Sequence, residues 1–258
     1  MPNITNLHIE LSTFCNAKCP NCTRTLEKNY PKIHLNFWEA VDKLDNSIIQ
    51  NLKKIQLCGT YGDPILHPEF LEIIIWIRKN IPNSVIEIST NGEPHKEDWW
   101  EKLAKILDKN GYVIFGLDGL EETHSVYRVN TDFNTIIRNA TAFINAGGRA
   151  HWQFVPFAHN EKDIIAALKL SKKLKFEKFF LKDERPSQDF KPWSKSKVSI
   201  TDNKTVHPKD VCLFLQGTLY LQADGIFLPC CYMGNYNSDN KWKYSNIDTA
   251  LLDNIKNE

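Results

Sequence analysis

Three cysteines in one short segment are the residues of this chain with the clearest capacity for chemistry. Cys15, Cys19 and Cys22 are spaced C-x3-C-x2-C within eight residues. Three thiols this close cannot all form disulfides with one another, whereas three thiolates can bind one face of a metal centre. Structural zinc usually takes four ligands in two separated pairs. A [4Fe–4S] cluster also takes four, so three cysteines leave one iron open to an outside ligand. The spacing favours an iron–sulfur cluster, with zinc as the alternative.

The triad resembles the signature of the radical SAM superfamily, whose hallmark is this spacing in a loop after the first strand. The resemblance implies that Cys15, Cys19 and Cys22 hold a [4Fe–4S] cluster whose open iron binds S-adenosylmethionine (SAM) through its amino and carboxylate groups. It also implies that an electron from the cluster cleaves SAM to methionine and a 5′-deoxyadenosyl radical, which abstracts hydrogen from a substrate. The family usually has an aromatic residue before the third cysteine, near the adenine. This chain has Asn21 there, and Asn21 is expected at the SAM site.

A second segment, Cys58-Gly-Thr-Tyr-Gly-Asp-Pro64, resembles the Gly-Gly-Glu-Pro turn of the same family. The resemblance assigns Tyr61, Gly62 and Asp63 to the SAM site, with Asp63 replacing the usual Glu as acceptor for the methionine ammonium group. Gly62 permits close backbone approach because it lacks a Cβ atom. A plain Gly-Asp-Pro turn ahead of a helix is the alternative. Cys58 is interpreted as a small buried core residue.

Two further segments follow predicted strands. Ser89, Thr90 and Asn91 resemble the segment that binds the ribose and carboxylate of SAM, although a lone Thr-Asn-Gly is usually only a turn. Gly116-Leu-Asp-Gly119, with a His-x-x-Tyr-Arg helix after it, resembles a motif of the peptide-modifying branch of the family. The resemblance implies that Asp118 bonds a ribose hydroxyl or faces the substrate and that Arg128 pairs with the methionine carboxylate.

Three interpretations of these segments stay open. Surface ion pairing is the alternative for Arg128. His124 is interpreted as structural rather than catalytic. Gln153, on the fifth predicted strand, is a weaker candidate for a polar contact inside the barrel.

The remaining cysteines lie near the end of the chain. Cys212 and Cys230 flank a predicted hairpin, and Cys231 follows directly. The arrangement resembles the opening half of the SPASM/twitch extension, which binds auxiliary iron–sulfur clusters in one subgroup of the family. The resemblance implies an auxiliary cluster held by these three cysteines, with at least one further ligand that is absent or not cysteine. A degenerate site kept as a hairpin cap, or a truncated gene product, is the alternative.

Strand-like runs alternate with amphipathic helical segments over the first three quarters of the chain. This alternation predicts an α/β fold with a parallel sheet, open or curved into a barrel, and ligands at the C-terminal strand ends. The resemblance to the radical SAM superfamily further implies that this fold is a partial (β/α)6 TIM-like barrel followed by a small β-hairpin and a helix. Strands are predicted at 6–11, 54–57, 85–89, 112–117, 149–155, 178–181, 218–222 and 226–229, and helices at 36–48, 68–80, 96–109, 132–146, 163–174 and 246–255.

The predicted domains follow from this pattern and from the resemblance. Residues 1–190 form the radical SAM core, 191–210 a linker rich in Pro, Ser, Lys and Asp, and 211–258 a shortened SPASM/twitch-like extension.

Composition narrows the choice of partners. The 258 residues carry 32 Lys and Arg against 31 Asp and Glu, a net charge of +1, so no nucleic-acid or membrane partner is expected. The N-terminus shows no signal peptide, and the chain is expected to be cytoplasmic.

The leading hypothesis is a radical SAM enzyme, of oxidoreductase or peptide-modifying type, that acts on a peptide or small polar substrate. It would receive electrons from a donor such as flavodoxin or ferredoxin. The alternatives are a non-enzymatic zinc or iron–sulfur binding module and a family member that binds SAM without turnover.

Overall fold

A computed structural model of the chain describes residues 3–182, 190–194, 216–229 and 231. Two compact units divide it: the first contains residues 3–15, 27–88 and those described beyond 215, and the second contains residues 16–26 and the described part of 89–206. In chain order the elements are β1 (Asn6–Ile9), α1 (Thr23–Leu26), α2 (Phe37–Asp42), α3 (Asn46–Asn51), β2 (Lys54–Leu57), α4 (Phe70–Asn80), β3 (Val85–Thr90), α5 (Glu97–Leu107), β4 (Gly111–Gly116), α6 (His124–Tyr127), α7 (Phe133–Asn145), β5 (Ala150–Phe154), α8 (Ile164–Lys173), β6 (Lys178–Leu181), β7 (Thr218–Leu221) and β8 (Phe227–Leu228), with short 3-10 helices at Pro64–Leu66 and Glu161–Asp163.

The first unit is built on a mostly parallel sheet in the order β3-β2-β1-β7-β8. Leu7 of β1 lies opposite Ile55 of β2 in parallel register. Both side chains are buried, as is Ile73 of α4. Alternate apolar residues therefore form one buried face of the sheet, as expected for strands covered by helices.

The C-terminal hairpin belongs to this sheet. Strand β7 pairs in parallel with β1, so that His8 lies opposite Tyr220. Strand β8 returns antiparallel to β7. Gly225, with φ of +84°, occupies the turn between them, where a left-handed conformation favours glycine. The predicted hairpin is confirmed, and its first strand lies beside the first strand of the chain.

The second unit contains the parallel strands β6, β5 and β4 in that spatial order. Trp100 of α5 packs against Phe115 of β4, with ring centroids 5.1 Å apart, and Phe143 of α7 completes the aromatic group at 6.2 Å from Trp100. These rings are almost completely buried. Burial of aromatic side chains of this size stabilises the packing of helices on the sheet.

The predicted α/β class with parallel strands is confirmed, but the predicted helix over 36–48 is two helices. Asn36 caps α2 by accepting from the backbone N–H of Glu39 at 3.3 Å, as its position in the sequence predicts. The helix then stops, because Asp45 accepts from the backbone N–H of Ser47 at 2.7 Å and starts α3 as a second N-cap.

Several predicted features lie outside the described residues: the helix over 246–255, Cys212, Cys230 and most of the linker over 191–210. In the part of the chain that the structure describes, no helix combines the length and the apolar character that a membrane span requires.

Candidate functional site

The cysteine loop follows β1. Cys19 is buried, and Cys15 and Cys22 are half-buried. The backbone N–H of Cys22 donates to the carbonyl of Cys19 at 3.1 Å, and α1 begins directly after Cys22. A tight turn continued by a helix therefore fixes the backbone between the second and third cysteines.

Cys19 lies beside a buried ion pair of the second unit. Arg128 Nη1 is 3.9 Å from Cys19 Sγ, and Arg128 Nε donates to Asp118 Oδ2 at 2.5 Å. Burial raises the pKa of the Cys19 thiol, whereas the positive charge of Arg128 opposes that rise. The guanidinium thus favours the thiolate form of Cys19, which is the form that binds metal.

Asp118 is fully buried, and both of its carboxylate oxygens have protein partners. Oδ2 accepts from Arg128, and Oδ1 accepts from the backbone N–H of Val155 at 2.7 Å. A carboxylate held from two sides fixes the guanidinium that it binds. The sequence motifs predicted Asp118 and Arg128 as separate contacts to SAM or substrate, whereas in the structure the two side chains form an ion pair with each other.

Gly116 is a residue of this cluster that sequence reasoning did not assign. A Cβ atom at residue 116 would lie 2.7 Å from Arg128 Nη2 and 3.0 Å from Arg128 Cζ. Glycine at the end of β4 therefore leaves the space in which the guanidinium lies. The Gly-x-Asp-Gly segment was the signal that could have identified it.

His124 contacts the backbone of Asp118. It is fully buried, and its Nδ1 accepts from the backbone N–H of Asp118 at 3.3 Å. Since a backbone N–H can only donate, the ring proton lies on Nε2, which donates to Thr131 Oγ1 at 3.0 Å. Burial, reinforced by the charge of Arg128, lowers the pKa of His124 to about 3. The buried neutral ring thus bonds both the backbone of Asp118 and the hydroxyl of Thr131.

The segment after β3 contacts the cysteine loop within the second unit. Thr90 Oγ1 accepts from the backbone N–H of Gly92 at 3.0 Å, and Asn91 Nδ2 donates to Asn16 Oδ1 at 2.8 Å. Asn16 Nδ2 in turn donates to the carboxylate of Glu93. Thr90 and Asn91 are buried. The sequence motifs did not identify Asn16 or Glu93. Neither residue occupies a defining position of a motif, and the sequence does not show which distant side chain each one bonds.

Ser89 and Gln153 are half-buried on β3 and β5.

The turn over residues 58–64 lies in the first unit and is fixed to the loop after β1. The backbone N–H of Asp63 donates to the carbonyl of Phe14 at 2.8 Å. A Cβ atom at Gly62 would collide with the carbonyl oxygen of Ser12. Asp63 is buried, and its Oδ1 accepts from the backbone N–H of Ile65 at 3.3 Å. The close approach that Gly62 permits is thus made to the protein backbone.

Two cysteines outside the triad are described. The expectation that Cys58 is a buried core residue is wrong: it follows β2 and is half-buried, because Leu57 is the last strand residue that points into the core. Cys231 is a half-buried free thiol. The predicted auxiliary ligands Cys212 and Cys230 fall on residues that are not described.

The donor set fits an iron–sulfur cluster. Three cysteines within eight residues can supply thiolates, and Arg128 supplies positive charge beside the sulfur of Cys19. Among the described residues, no three His, Cys, Asp or Glu side chains are grouped to hold a single metal ion. A [4Fe–4S] cluster does not require such a group, since each thiolate binds a different iron. Asn21 adds a buried Nδ2 with no hydrogen-bond partner among the described residues, which is a donor available to a bound group.

The model of the Radical SAM superfamily matches residues 9–178, a span that contains the triad and every SAM contact predicted from the sequence.

Two curated proteins are similar in sequence. An S-adenosylmethionine-dependent nucleotide dehydratase of Thermoplasmatales archaeon (strain ISO4-H5) is 32% identical over 118 residues, which cover 45% of this chain and 39% of that protein. A probable GTP 3′,8-cyclase of Thermococcus kodakarensis is 27% identical over 186 residues, 65% of this chain and 57% of that protein. The matches thus cover well under two thirds of either relative.

Solved structures show the same fold at low identity. Streptococcus suis SuiB bound to S-adenosylmethionine has a TM-score of 0.69 at 16% identity, covering 99% of this chain and 68% of that one. Native anSMEcpe with bound AdoMet and the Cp18Cys peptide has a TM-score of 0.56 at 21% identity, covering 71% of this chain and 54% of that one.

Proposed function

Because the chain belongs to the radical SAM superfamily, we propose that it is an enzyme that reductively cleaves SAM and abstracts hydrogen from a peptide or small polar substrate. The observation that carries this proposal is the cysteine triad inside the matched region, with the Arg128 guanidinium beside the Cys19 sulfur.

The [4Fe–4S] cluster would be held by Cys15, Cys19 and Cys22. When bound, the cluster would supply the electron for the reductive cleavage of SAM. Arg128 stabilises negative charge on the Cys19 sulfur, because its guanidinium is held in place by a carboxylate that is itself fully buried.

The SAM contacts of the proposal are the residues named from the sequence. Asp63 would accept from the methionine ammonium group, Thr90 and Asn91 would bind the ribose and carboxylate, and Arg128 would use its remaining donors for the methionine carboxylate. A guanidinium has five N–H donors, so bonds to Asp118 and Cys19 leave others for a ligand. Asp118 acts through Arg128 and is a positioning residue.

The substrate class is inferred from the relatives. SuiB has been solved with the precursor peptide SuiA, which favours a peptide. The two curated relatives are named for reactions of nucleotides, so a nucleotide is the candidate among small polar substrates. Their sequence identity to this chain exceeds that of the peptide-bound structures, which favours testing nucleotides first.

The proposal also includes an auxiliary cluster in the C-terminal segment and a separate protein that donates electrons. An auxiliary cluster held by Cys212, Cys230 and Cys231 would raise the iron content from near four to near eight atoms per chain. A flavodoxin or ferredoxin would supply the electron.

The test is anaerobic reconstitution with iron and sulfide, followed by metal analysis and by assay of 5′-deoxyadenosine after reduction in the presence of SAM. The proposal expects iron and sulfide near four or eight per chain, together with SAM cleavage. Replacing Cys15, Cys19 and Cys22 by alanine is expected to abolish iron binding. Cys58→Ala, which removes a thiol outside the triad, is the matched control and is expected to retain its iron. Stoichiometric zinc without charge-transfer absorbance or SAM cleavage would instead support the non-enzymatic binding module.

A further inference from the structure

Glu10 is a buried acidic residue that the proposed chemistry does not use. It follows β1 directly and is completely buried. Oε1 accepts from the backbone N–H of Tyr61 at 2.7 Å, and Oε2 accepts from the hydroxyl of Tyr220 at 3.1 Å. Burial of a carboxylate costs free energy that hydrogen bonds of this kind must offset. An apolar residue would avoid that cost, so the contacts of Glu10 indicate a specific task.

The first contact fixes the turn that the proposed function assigns to SAM. Tyr61 is itself almost completely buried, and its hydroxyl donates to Glu27 Oε2 at 2.5 Å. The turn is therefore held at the backbone of Tyr61 by Glu10 and at the phenol by Glu27. Asp63, the predicted acceptor of the methionine ammonium group, is two residues further on.

The second contact comes from the far end of the chain. Tyr220 lies on β7, is almost completely buried, and packs edge-on against the ring of His8 at a centroid distance of 4.9 Å. His8 Nε2 is 2.7 Å from the carbonyl oxygen of Cys58, the first residue of the turn. A residue of the C-terminal hairpin therefore meets the turn through both Glu10 and His8.

We propose that Glu10 is a positioning residue that holds the turn over 58–64 in the shape that accepts SAM, and that the Tyr220 hydroxyl makes β7 a part of this arrangement. The inference rests on the proposed function, because it takes the turn as a SAM contact. It gives the C-terminal hairpin a role that does not depend on an auxiliary cluster.

The experiment uses the full-length reconstituted protein and measures SAM cleavage as a function of SAM concentration. The variants are Tyr220→Phe, which removes one hydroxyl, and Glu10→Gln, which leaves one of the two donors without an oxygen acceptor. Tyr112→Phe is the matched control, since Tyr112 is a half-buried tyrosine on β4 of the other unit. Iron content and thermal unfolding are measured for every protein.

The positioning role predicts a KM for SAM raised about fivefold in Tyr220→Phe and further in Glu10→Gln, with kcat at saturating SAM little changed. A purely structural role lowers the amount of active protein, so it lowers kcat and leaves KM as in the wild type. That result, or a KM in Tyr220→Phe equal to that of Tyr112→Phe, overturns the inference while the proposed function stands. Failure of the wild type to cleave SAM overturns the proposed function itself. Tyr220→Phe decides the question if Glu10→Gln does not fold.

Discussion

The Nε atom of Arg128 donates to Oδ2 of Asp118 at 2.5 Å, with the Asp118 side chain fully buried and that of Arg128 only 17% exposed. Asp118 thereby fixes the positively charged guanidinium of Arg128 beside the sulfur of Cys19. Removing one partner of a buried ion pair leaves the other without compensation, which costs far more than the pair contributes.

Asp118→Asn is therefore expected to lower the free energy of unfolding by about 3 kcal/mol, because Arg128 loses its carboxylate partner. The double variant Asp118→Asn with Arg128→Gln is expected to lose less than the sum of the two single variants. Urea denaturation of the four proteins measures this coupling. Additive losses would show that the two side chains do not act as a pair.

Gly116→Ala tests the space around the guanidinium. The added Cβ would lie 2.7 Å from Arg128 Nη2, so the side chain must move. Iron bound after reconstitution is expected to be lost to a chelator faster than in the wild type. Gly147→Ala is the control, because a Cβ atom at residue 147 meets nothing within 4 Å among the described residues. Since residue 147 has a φ of +93°, this substitution costs only backbone strain, about 1 kcal/mol of stability. Equal iron loss in the two variants would contradict the steric account.

The buried ring of His124 predicts a pH dependence. Its pKa is about 3 in the folded protein and 6.5 ordinarily, so below pH 6.5 the unfolded chain binds a proton that the folded chain does not. Stability is therefore lost as the pH falls, by up to about 1.4 kcal/mol per pH unit between about 6 and 3. Urea denaturation of the apo-protein at pH 7, 6 and 5 measures the slope.

His124→Gln should have a smaller slope than the wild type. The variant keeps some acid sensitivity, because burial also lowers the pKa of His34, His67 and His159. Identical slopes would mean that His124 does not remain neutral in the folded protein.

Substitution of Asn21 is expected to have opposite effects on the stability of the apo-protein and on its affinity for SAM. Its buried Nδ2 has no partner among the described residues, and an unsatisfied donor costs about 1–3 kcal/mol. Asn21→Leu is therefore expected to unfold at higher denaturant concentration than the wild type as apo-protein, yet to bind SAM about fivefold more weakly after reconstitution. Equilibrium dialysis with labelled SAM measures the second effect. A destabilised variant with unchanged SAM affinity would make Asn21 an ordinary core residue.

Local pattern predicted most of the fold. Strands β2 and β6 have the predicted bounds, and Asn36 caps its helix as predicted, because hydrophobic periodicity and capping depend on neighbours in sequence. The break at Asp45 was missed because apolar spacing continues across it.

Contacts between distant residues could not be predicted in this way. The pairing of β7 with β1 and the bond from Tyr220 to Glu10 join residues more than 200 positions apart, and no local pattern encodes which strand lies beside another in a sheet. The identities of Asp118 and Arg128 came from motif resemblance, but their mutual bond depends on the rotamers that packing selects.

The most direct test of the account is the yield of 5′-deoxyadenosine from SAM when the anaerobically reconstituted protein is reduced. The wild type is predicted to form it, and the variant with Cys15, Cys19 and Cys22 all replaced by alanine is predicted to form none. Product from the triple variant at the wild-type rate would contradict the assignment of the triad, and no product from an iron-loaded wild type would contradict the proposed activity.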